Sequence, residues 1–143
     1  MILRALREDD LSIIEEMEKR CFADPWTREM FASLLRFPFQ YAIVAEDGGQ
    51  VCGYCCFSSL FEDAELLNIA VDTPYRKRGI GESLLGEMLS RVKTLGAQNC
   101  FLEVRKSNAP ATSLYEKYGF ERCGVREKYY GDGEDAILMK KSW

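Results

Sequence analysis

Arg76-Lys77-Arg78-Gly79-Ile80-Gly81 joins two segments of different periodicity, and that junction decides the fold. Before it, Leu66-Leu67-Asn68-Ile69-Ala70-Val71 is a short apolar run of the kind that forms a buried strand. After it, Leu84, Leu85, Met88, Leu89, Val92 and Leu95 recur on one stripe of a helix expected over Glu82 to Leu95. A glycine turn leading from strand into helix presents unpaired N–H groups at the positive end of the helix dipole. Glycine also lets a ligand approach the main chain, because no Cβ intervenes. A pyrophosphate suits such a turn. The pattern is neither G-x-G-x-x-G nor a phosphate loop ending in Lys-Ser/Thr, so a plain connection with solvated basic residues competes locally.

Size and charge narrow the rest. At 143 residues the chain is long enough for one domain, 1–143, with a real core, and too short for two. It has no run of about 18 apolar residues, so no membrane-spanning helix is expected. Met1-Ile2-Leu3-Arg4-Ala5 reads straight into structure without the apolar centre of a signal peptide, which points to the cytoplasm. A net charge of −4 speaks against general nucleic-acid binding. The cations at 76–78 are a local cluster in an acidic protein and match a small polyanion. The acidic remainder tolerates a cationic acceptor such as an amine or a basic peptide. Neither nucleic acid nor membrane is an expected partner, and the chain is expected to act as a monomer.

Six cysteines stand at 21, 52, 55, 56, 100 and 123, and histidine is absent. Cys52-Gly53-Tyr54-Cys55 has C-x-x-C spacing, yet it lies in an apolar strand pattern and has no second pair, so no metal site is expected. All six read as reduced, structural thiols. Without histidine there is no Ser-His or Cys-His nucleophile, and proton transfer falls to carboxylate, tyrosine, lysine, cysteine or water.

Along the chain, Met1–Leu6 reads as a strand. Asp9 or Asp10 can cap a helix carrying Leu11, Ile14, Met17 and Cys21, and Thr27 can cap a second helix through Leu35. Tyr41–Ala45 and Val51–Leu60 are strands joined across Asp47-Gly48-Gly49, a hairpin signal. Ala64–Val71 follows, then the glycine turn and its helix, which Gly96 stops. Cys100–Val104 is a strand, and Asn108, Pro110 and Gly119 delimit a short helix. Phe120–Tyr130 and Asp135–Lys140 are expected to form a closing hairpin across Gly131-Asp132-Gly133. The order is β-α-α-β-β-β-α-β-α-β-β. It predicts an α/β protein with a mixed, mostly antiparallel sheet of about seven strands, flanked on both faces by four helices.

That order, with R-x-x-G-x-G after the fourth strand, resembles the GNAT (GCN5-related N-acetyltransferase) superfamily over essentially the whole chain. Asn68-Ile69-Ala70-Val71-Asp72, Leu102-Glu103-Val104-Arg105, Ser107-Asn108-Ala109, Leu114-Tyr115-Glu116, Tyr118-Gly119-Phe120, Tyr129-Tyr130 and Glu134-Asp135-Ala136 are similar to the ribosomal-protein-alanine N-acetyltransferase (RimI) family. The resemblance implies acetyl-CoA bound where the fourth and fifth strands part. Ile69, Ala70 and Val71 would then offer backbone groups to the pantetheine arm. Arg76, Lys77, Arg78, Gly79, Ile80, Gly81 and Glu82 would surround the pyrophosphate. Asn108 would turn its amide to the cofactor, besides or instead of capping a helix.

Glu103 interrupts Cys100-Phe101-Leu102-Glu103-Val104, a strand that otherwise reads as buried. Buried carboxylates are rare unless paired or functional, and sheltering one makes it a better base. An ion pair with Arg105, two residues on and on the same strand face, is the structural alternative. The resemblance implies the other role, general base, for Glu103. It likewise implies that Tyr115, which could merely pack on the sheet, is the general acid toward the leaving thiolate.

The amine acceptor is implied to lie between Cys21-Phe22-Ala23-Asp24-Pro25-Trp26 and the last hairpin, with Trp26, Tyr129, Tyr130 and Glu134 in contact with it. An α-amine has a pKa near 8, against about 10.4 for lysine, so a modest base suffices for an N-terminus. The expected acceptor is the N-terminal alanine of a small-subunit ribosomal protein. A lysine, polyamine or small-amine acetyltransferase remains open, as does a sensor that binds acyl-CoA without turning it over.

Overall fold

A computed structural model describes residues 1–143, and it holds seven strands and four α-helices in the expected order. The strands are β1 (Ile2–Ala5), β2 (Gln40–Asp47), β3 (Gln50–Leu60), β4 (Asp63–Val71), β5 (Asn99–Arg105), β6 (Glu121–Arg126) and β7 (Ala136–Ser142). The helices are α1 (Leu11–Cys21), α2 (Arg28–Arg36), α3 (Ile80–Thr94) and α4 (Ala109–Lys117). One sheet runs β1-β2-β3-β4-β5-β7-β6. Every neighbouring pair is antiparallel except β4 and β5, which are parallel. No helix is long and apolar enough to cross a membrane.

Local signals set most boundaries. Gly48 and Gly49 both take positive φ, 59° and 82°, as a two-residue hairpin turn between twisted strands demands. The Thr27 hydroxyl accepts from the Met30 N–H at 3.2 Å and starts α2. Asp10 sits at the start of α1 but does not cap it. Its carboxylate turns back to accept from the Arg7 N–H and from both terminal nitrogens of Arg4, all at 2.8 Å. Leu95 also departs from expectation: α3 ends at Thr94, and the next side chain swings out to 50% exposure.

Two apolar layers sandwich the sheet. Leu84, Leu85, Met88 and Val92 of α3 and Tyr115 of α4 pack with Ile43, Cys55, Phe57, Leu102 and Met139 on one face. Ile14 and Met17 of α1 and Phe31 and Leu34 of α2 pack with Val44, Tyr54, Cys56 and Ala70 on the other. On β5, Cys100, Leu102 and Val104 join the α3–α4 layer, so Phe101, Glu103 and Arg105 lie on the opposite face by strand alternation. Phe101 is 37% exposed there, so β5 is buried on one face only, not on both as its composition suggested.

The central irregularity lies on β4. Cys56 pairs with Asn68 but Phe57 with Leu66, leaving Leu67 as an extra residue. Such a bulge increases local twist and bends the strand. The β4–β5 ladder then covers only Asp63–Asn99, Ala64–Cys100 and Glu65–Phe101. Beyond it the two parallel strands part, and their C-terminal ends frame a gap.

The last hairpin is shorter than its sequence suggested. The β6–β7 ladder closes at Arg126–Ala136, which leaves Tyr129 and Tyr130 in a loop. Lys128 takes a positive φ of 51° and its N–H is held by Asp135 at 2.9 Å, which turns the chain away from the ladder.

Candidate active site

A cavity of about 470 Å³ occupies the gap between β4 and β5. Leu66 to Val71 form one wall and Glu103 to Arg105 the other. Gly81, Asn108, Leu114 and Tyr115 close it on the side of α3 and α4, and Cys21 to Asp24, Trp26 and Tyr130 on the opposite side. The sequence had proposed residues from all of these segments.

At one end lies the start of α3. Gly79 precedes the helix in the left-handed conformation, φ 78°, which the turn requires and glycine adopts without strain. The first paired N–H in this stretch is that of Ser83, donating to the Gly79 carbonyl at 3.0 Å. The amides of Arg78 to Glu82 are therefore left without protein acceptors, as at any unliganded helix start. A Cβ added to Gly79 would meet nothing within 4 Å, and one on Gly81 only a Val71 methyl at 3.6 Å. The turn is an open cradle of donors.

The side chains around it divide. Arg76 Nε donates to the Val71 carbonyl at 3.0 Å and so braces the open end of β4. Arg78 lies over the Tyr75 ring at 5.4 Å, with Asp47 at 3.9 Å, and remains largely exposed. Lys77 takes a positive φ of 64° on the exposed bend. Ile80 points into the core, only 4% exposed, and contributes its amide alone. Glu82 is engaged with Lys117 at 2.6 Å and the Tyr118 hydroxyl at 3.0 Å, which ties α3 to α4. Asn108 does cap α4, its side-chain oxygen accepting from Ala111 at 3.2 Å, and the residue also lines the cavity.

Glu103 and Tyr115 share the middle of the cavity lining. Tyr115 is 6% exposed and its ring meets Phe120 edge-on at 5.9 Å. Burial pushes its phenol pKa up, so the hydroxyl is a neutral donor across the physiological range. Glu103 does not pair with Arg105. Its carboxylate meets Arg126 Nε at 3.1 Å, and the side chain is 23% exposed, more open than a buried strand would have made it. The nearby Glu103 carboxylate raises the Tyr129 phenol pKa, although Tyr129 stays outside the cavity lining.

Of the residues read as acceptor contacts, Trp26 and Tyr130 line the cavity and Glu134 does not. Its oxygens accept from the Ser107 N–H at 2.8 Å and from Arg105 at 3.0 Å, which together lower its pKa and commit it to tying its loop to the end of β5. The thiols also differ from the uniform reading. Cys52, Cys55, Cys56 and Cys100 are buried, whereas Cys21 lines the cavity and Cys123 is exposed on the β6 bulge.

Two residues at the site escaped sequence reading. Glu18 is 1% exposed and lines the cavity, and it accepts from the Tyr54 hydroxyl at 2.5 Å, Asn68 Nδ2 at 2.8 Å and the Trp26 N–H at 2.9 Å. Its position one turn after Ile14, on the apolar stripe of α1, was the available signal. Arg105 is the second: it was read only as a partner for Glu103, whereas its partners lie in two distant loops.

A parallel strand pair that opens beside an amide-lined helix start, with a carboxylate and a neutral phenol lining the gap, is the arrangement that the resemblance to the acetyltransferase superfamily implied. The chain belongs to the acetyltransferase (GNAT) family, whose model matches residues 11–120. A Bacillus subtilis protein, named provisionally as a ribosomal protein bS18-alanine N-acetyltransferase, is 38% identical over 96% of this chain and 92% of its own. The Escherichia coli K12 enzyme of that name is 34% identical, over 96% and 94% respectively. The crystal structure of an Escherichia coli ribosomal-protein-alanine N-acetyltransferase superposes with a TM-score of 0.91 at 33% identity, covering 99% of this chain and 92% of that one.

Proposed function

We propose that this protein transfers the acetyl group of acetyl-CoA to the N-terminal amine of a ribosomal protein, with alanine as the expected first residue. The observation that carries the reading is the opening of β4 from β5. It gathers the open amide turn, Glu103 and Tyr115 around one cavity. The names of the full-length relatives supply the acceptor.

The residues present fit the donor. Unpaired amides from Arg78 to Glu82 suit a pyrophosphate, reinforced by the helix dipole and by Lys77 and Arg78. The freed edge of β4 at Ile69 to Val71 offers main-chain groups to an extended amide-bearing arm. The NH₂ group of Asn108 is available once its oxygen has capped α4.

Acetyl-CoA brings the activated thioester, and the chain supplies position and proton transfer. The α-amine attacks as the neutral base, the new C–N bond replaces the C–S bond, and Glu103 takes the proton that the nitrogen sheds. Tyr115, kept protonated by burial, gives its proton to the departing sulfur. Backbone N–H groups of the opened β4 edge receive the developing charge on the carbonyl oxygen. Trp26 and Tyr130 wall the acceptor end. An acyl-cysteine route would need an activated thiol, and Cys21 has no histidine to activate it.

The test is intact mass after incubation with acetyl-CoA of two peptides. One has a free N-terminal alanine and no lysine; the other is N-terminally blocked with an internal lysine. Acetylation of the first alone supports the proposal. Acetylation of the second alone would replace it with a lysine acetyltransferase on the same fold.

A further inference from the structure

Arg105 ends β5 with its guanidinium between two loops that no ladder joins. One nitrogen donates to Asp132 at 2.9 Å and Glu134 at 3.0 Å, both in the loop before β7. Another donates to Asp24 at 3.1 Å, in the loop between α1 and α2. The plane of the group stacks on Tyr130 with its carbon 4.1 Å from the ring centroid. Asp24 completes the bridge by accepting from the Gly131 N–H at 3.3 Å. One cation thus cross-links the two segments that wall the acceptor end of the cavity. Its side chain is 24% exposed, sheltered more than its carboxylate partners Asp24 and Asp132.

We propose that Arg105 is a positioning residue for the acceptor. It pins the loop at 22–26 to the loop at 127–135 and so fixes the width of the channel through which the amine reaches Glu103. The proposal rests on the acetyl-transfer reading above. Several features make a pin rather than a solitary surface pair. The guanidinium fork serves three carboxylates at once, so one ordering cost is shared among several bonds. The flat stack of the guanidinium on Tyr130 adds a contact that a lysine ammonium, a point charge, reproduces only in part. The arrangement also leaves three carboxylates facing one cation, an excess of negative charge that suits an incoming ammonium. Because the contacts of Arg105 are with Asp24, Asp132, Glu134 and Tyr130 and none is with the glycine turn, its loss should leave the amide cradle intact.

The experiment compares the wild-type protein with Arg105→Gln, Arg105→Lys and the loop variant Asp132→Asn. It uses the alanine-terminated peptide as acceptor and measures KM for each substrate, kcat, and acetyl-CoA affinity by calorimetry. Arg105→Gln is expected to raise the peptide KM or lower kcat by roughly tenfold to a hundredfold, as a misplaced acceptor does. Acetyl-CoA affinity should stay within about twofold, which is less than half of one tenfold step in free energy. Arg105→Lys should recover only part of the loss, and Asp132→Asn should move the same parameter in the same direction by less. Amide exchange at Gly131 and Ser107 should quicken in Arg105→Gln, a readout that does not depend on turnover. Unchanged peptide kinetics in Arg105→Gln, or an equal loss of acetyl-CoA affinity, would overturn the proposal. If Arg105→Gln does not fold, Asp132→Asn decides, and unchanged peptide kinetics there overturns it. A wild-type protein that acetylates no peptide would instead sink the acetyl-transfer reading, while the exchange measurement would still judge the pin.

Discussion

Tyr54 donates its hydroxyl to Glu18 at 2.5 Å, joining a buried strand of the sheet to a buried carboxylate on α1. The same carboxylate holds Asn68 beside the β4 bulge and the Trp26 amide in the segment before α2. A carboxylate taken out of water needs such donors, and removing one leaves it under-satisfied. Tyr54→Phe keeps the ring, including its edge-on contact with Phe31 at 5.5 Å, and deletes only the hydroxyl. The expected cost is about 1.5–3 kcal/mol, the range for a hydrogen bond to a charged group. Urea titration should show a lower midpoint with an unchanged slope. A midpoint equal to the wild type would show that Glu18 does not depend on this donor.

Glu103 and Tyr115 are expected to separate from binding when changed singly. Glu103→Gln and Tyr115→Phe should each lower kcat by about a hundredfold, the lower end for a positioned acid or base. Acetyl-CoA affinity should be nearly unchanged in both, since neither residue belongs to the amide turn. Glu103 also has a structural partner in Arg126, so thermal melts should accompany the kinetics. That pair is open to solvent on its Arg126 side and worth little, and a large drop in stability together with lost binding would reassign Glu103 to the scaffold.

The two glycines of the turn should fail in different ways. Gly79→Ala must hold an L-residue at φ 78° and should cost roughly 1–2 kcal/mol of stability, although no atom obstructs its Cβ. Gly81→Val has an ordinary φ, and its Cβ touches only a Val71 methyl at 3.6 Å, so the fold should bear it. Its branches would stand in the cradle, and acetyl-CoA should bind roughly tenfold more weakly or worse, about 1.4 kcal/mol. Calorimetry gives the affinity directly; an unchanged value would move the phosphates elsewhere.

What the sequence revealed was whatever a local signal encodes. The caps at Thr27 and Asn108, the Gly48-Gly49 hairpin and the glycine turn each act within a few residues, and each fell where it was expected. Element order followed from them, and the order sufficed for the fold. The partners of charged groups were not legible. Arg105 reaches Asp24 across 81 residues and Asp132 across 27, distances over which no spacing rule operates. Glu103 was read against its near neighbour Arg105, whereas β5–β7–β6 order brings Arg126 to it instead. Glu134 looked like an acceptor contact because its engagement by Ser107 depends on how the loop folds back. Glu18 was legible in principle, as a carboxylate on an apolar helix stripe, but a helix face tolerates one charge without comment until its surroundings are known.

Alkaline pH should unfold this protein through its buried thiols and phenols. Burial pushes up the pKa of Cys55, Cys56 and Cys100, the last to about 12, and that of Tyr115. Tyr54 is raised by burial and then by its bond to Glu18. Each group stays protonated in the fold and ionises in the unfolded chain, near 9.0 for the thiols and 10.0 for the phenols. Their contribution is therefore complete below those values and is lost as pH rises through the folded-state values. Stability should be flat up to about pH 9 and then fall, each ionising group adding up to about 1.4 kcal/mol per pH unit to the slope. Tyr54→Phe removes one such group, so its stability should fall less steeply than the wild type above pH 10. Urea midpoints measured from pH 8 to 11 test both statements. A midpoint that stayed level through that range would mean that water reaches these groups in the fold.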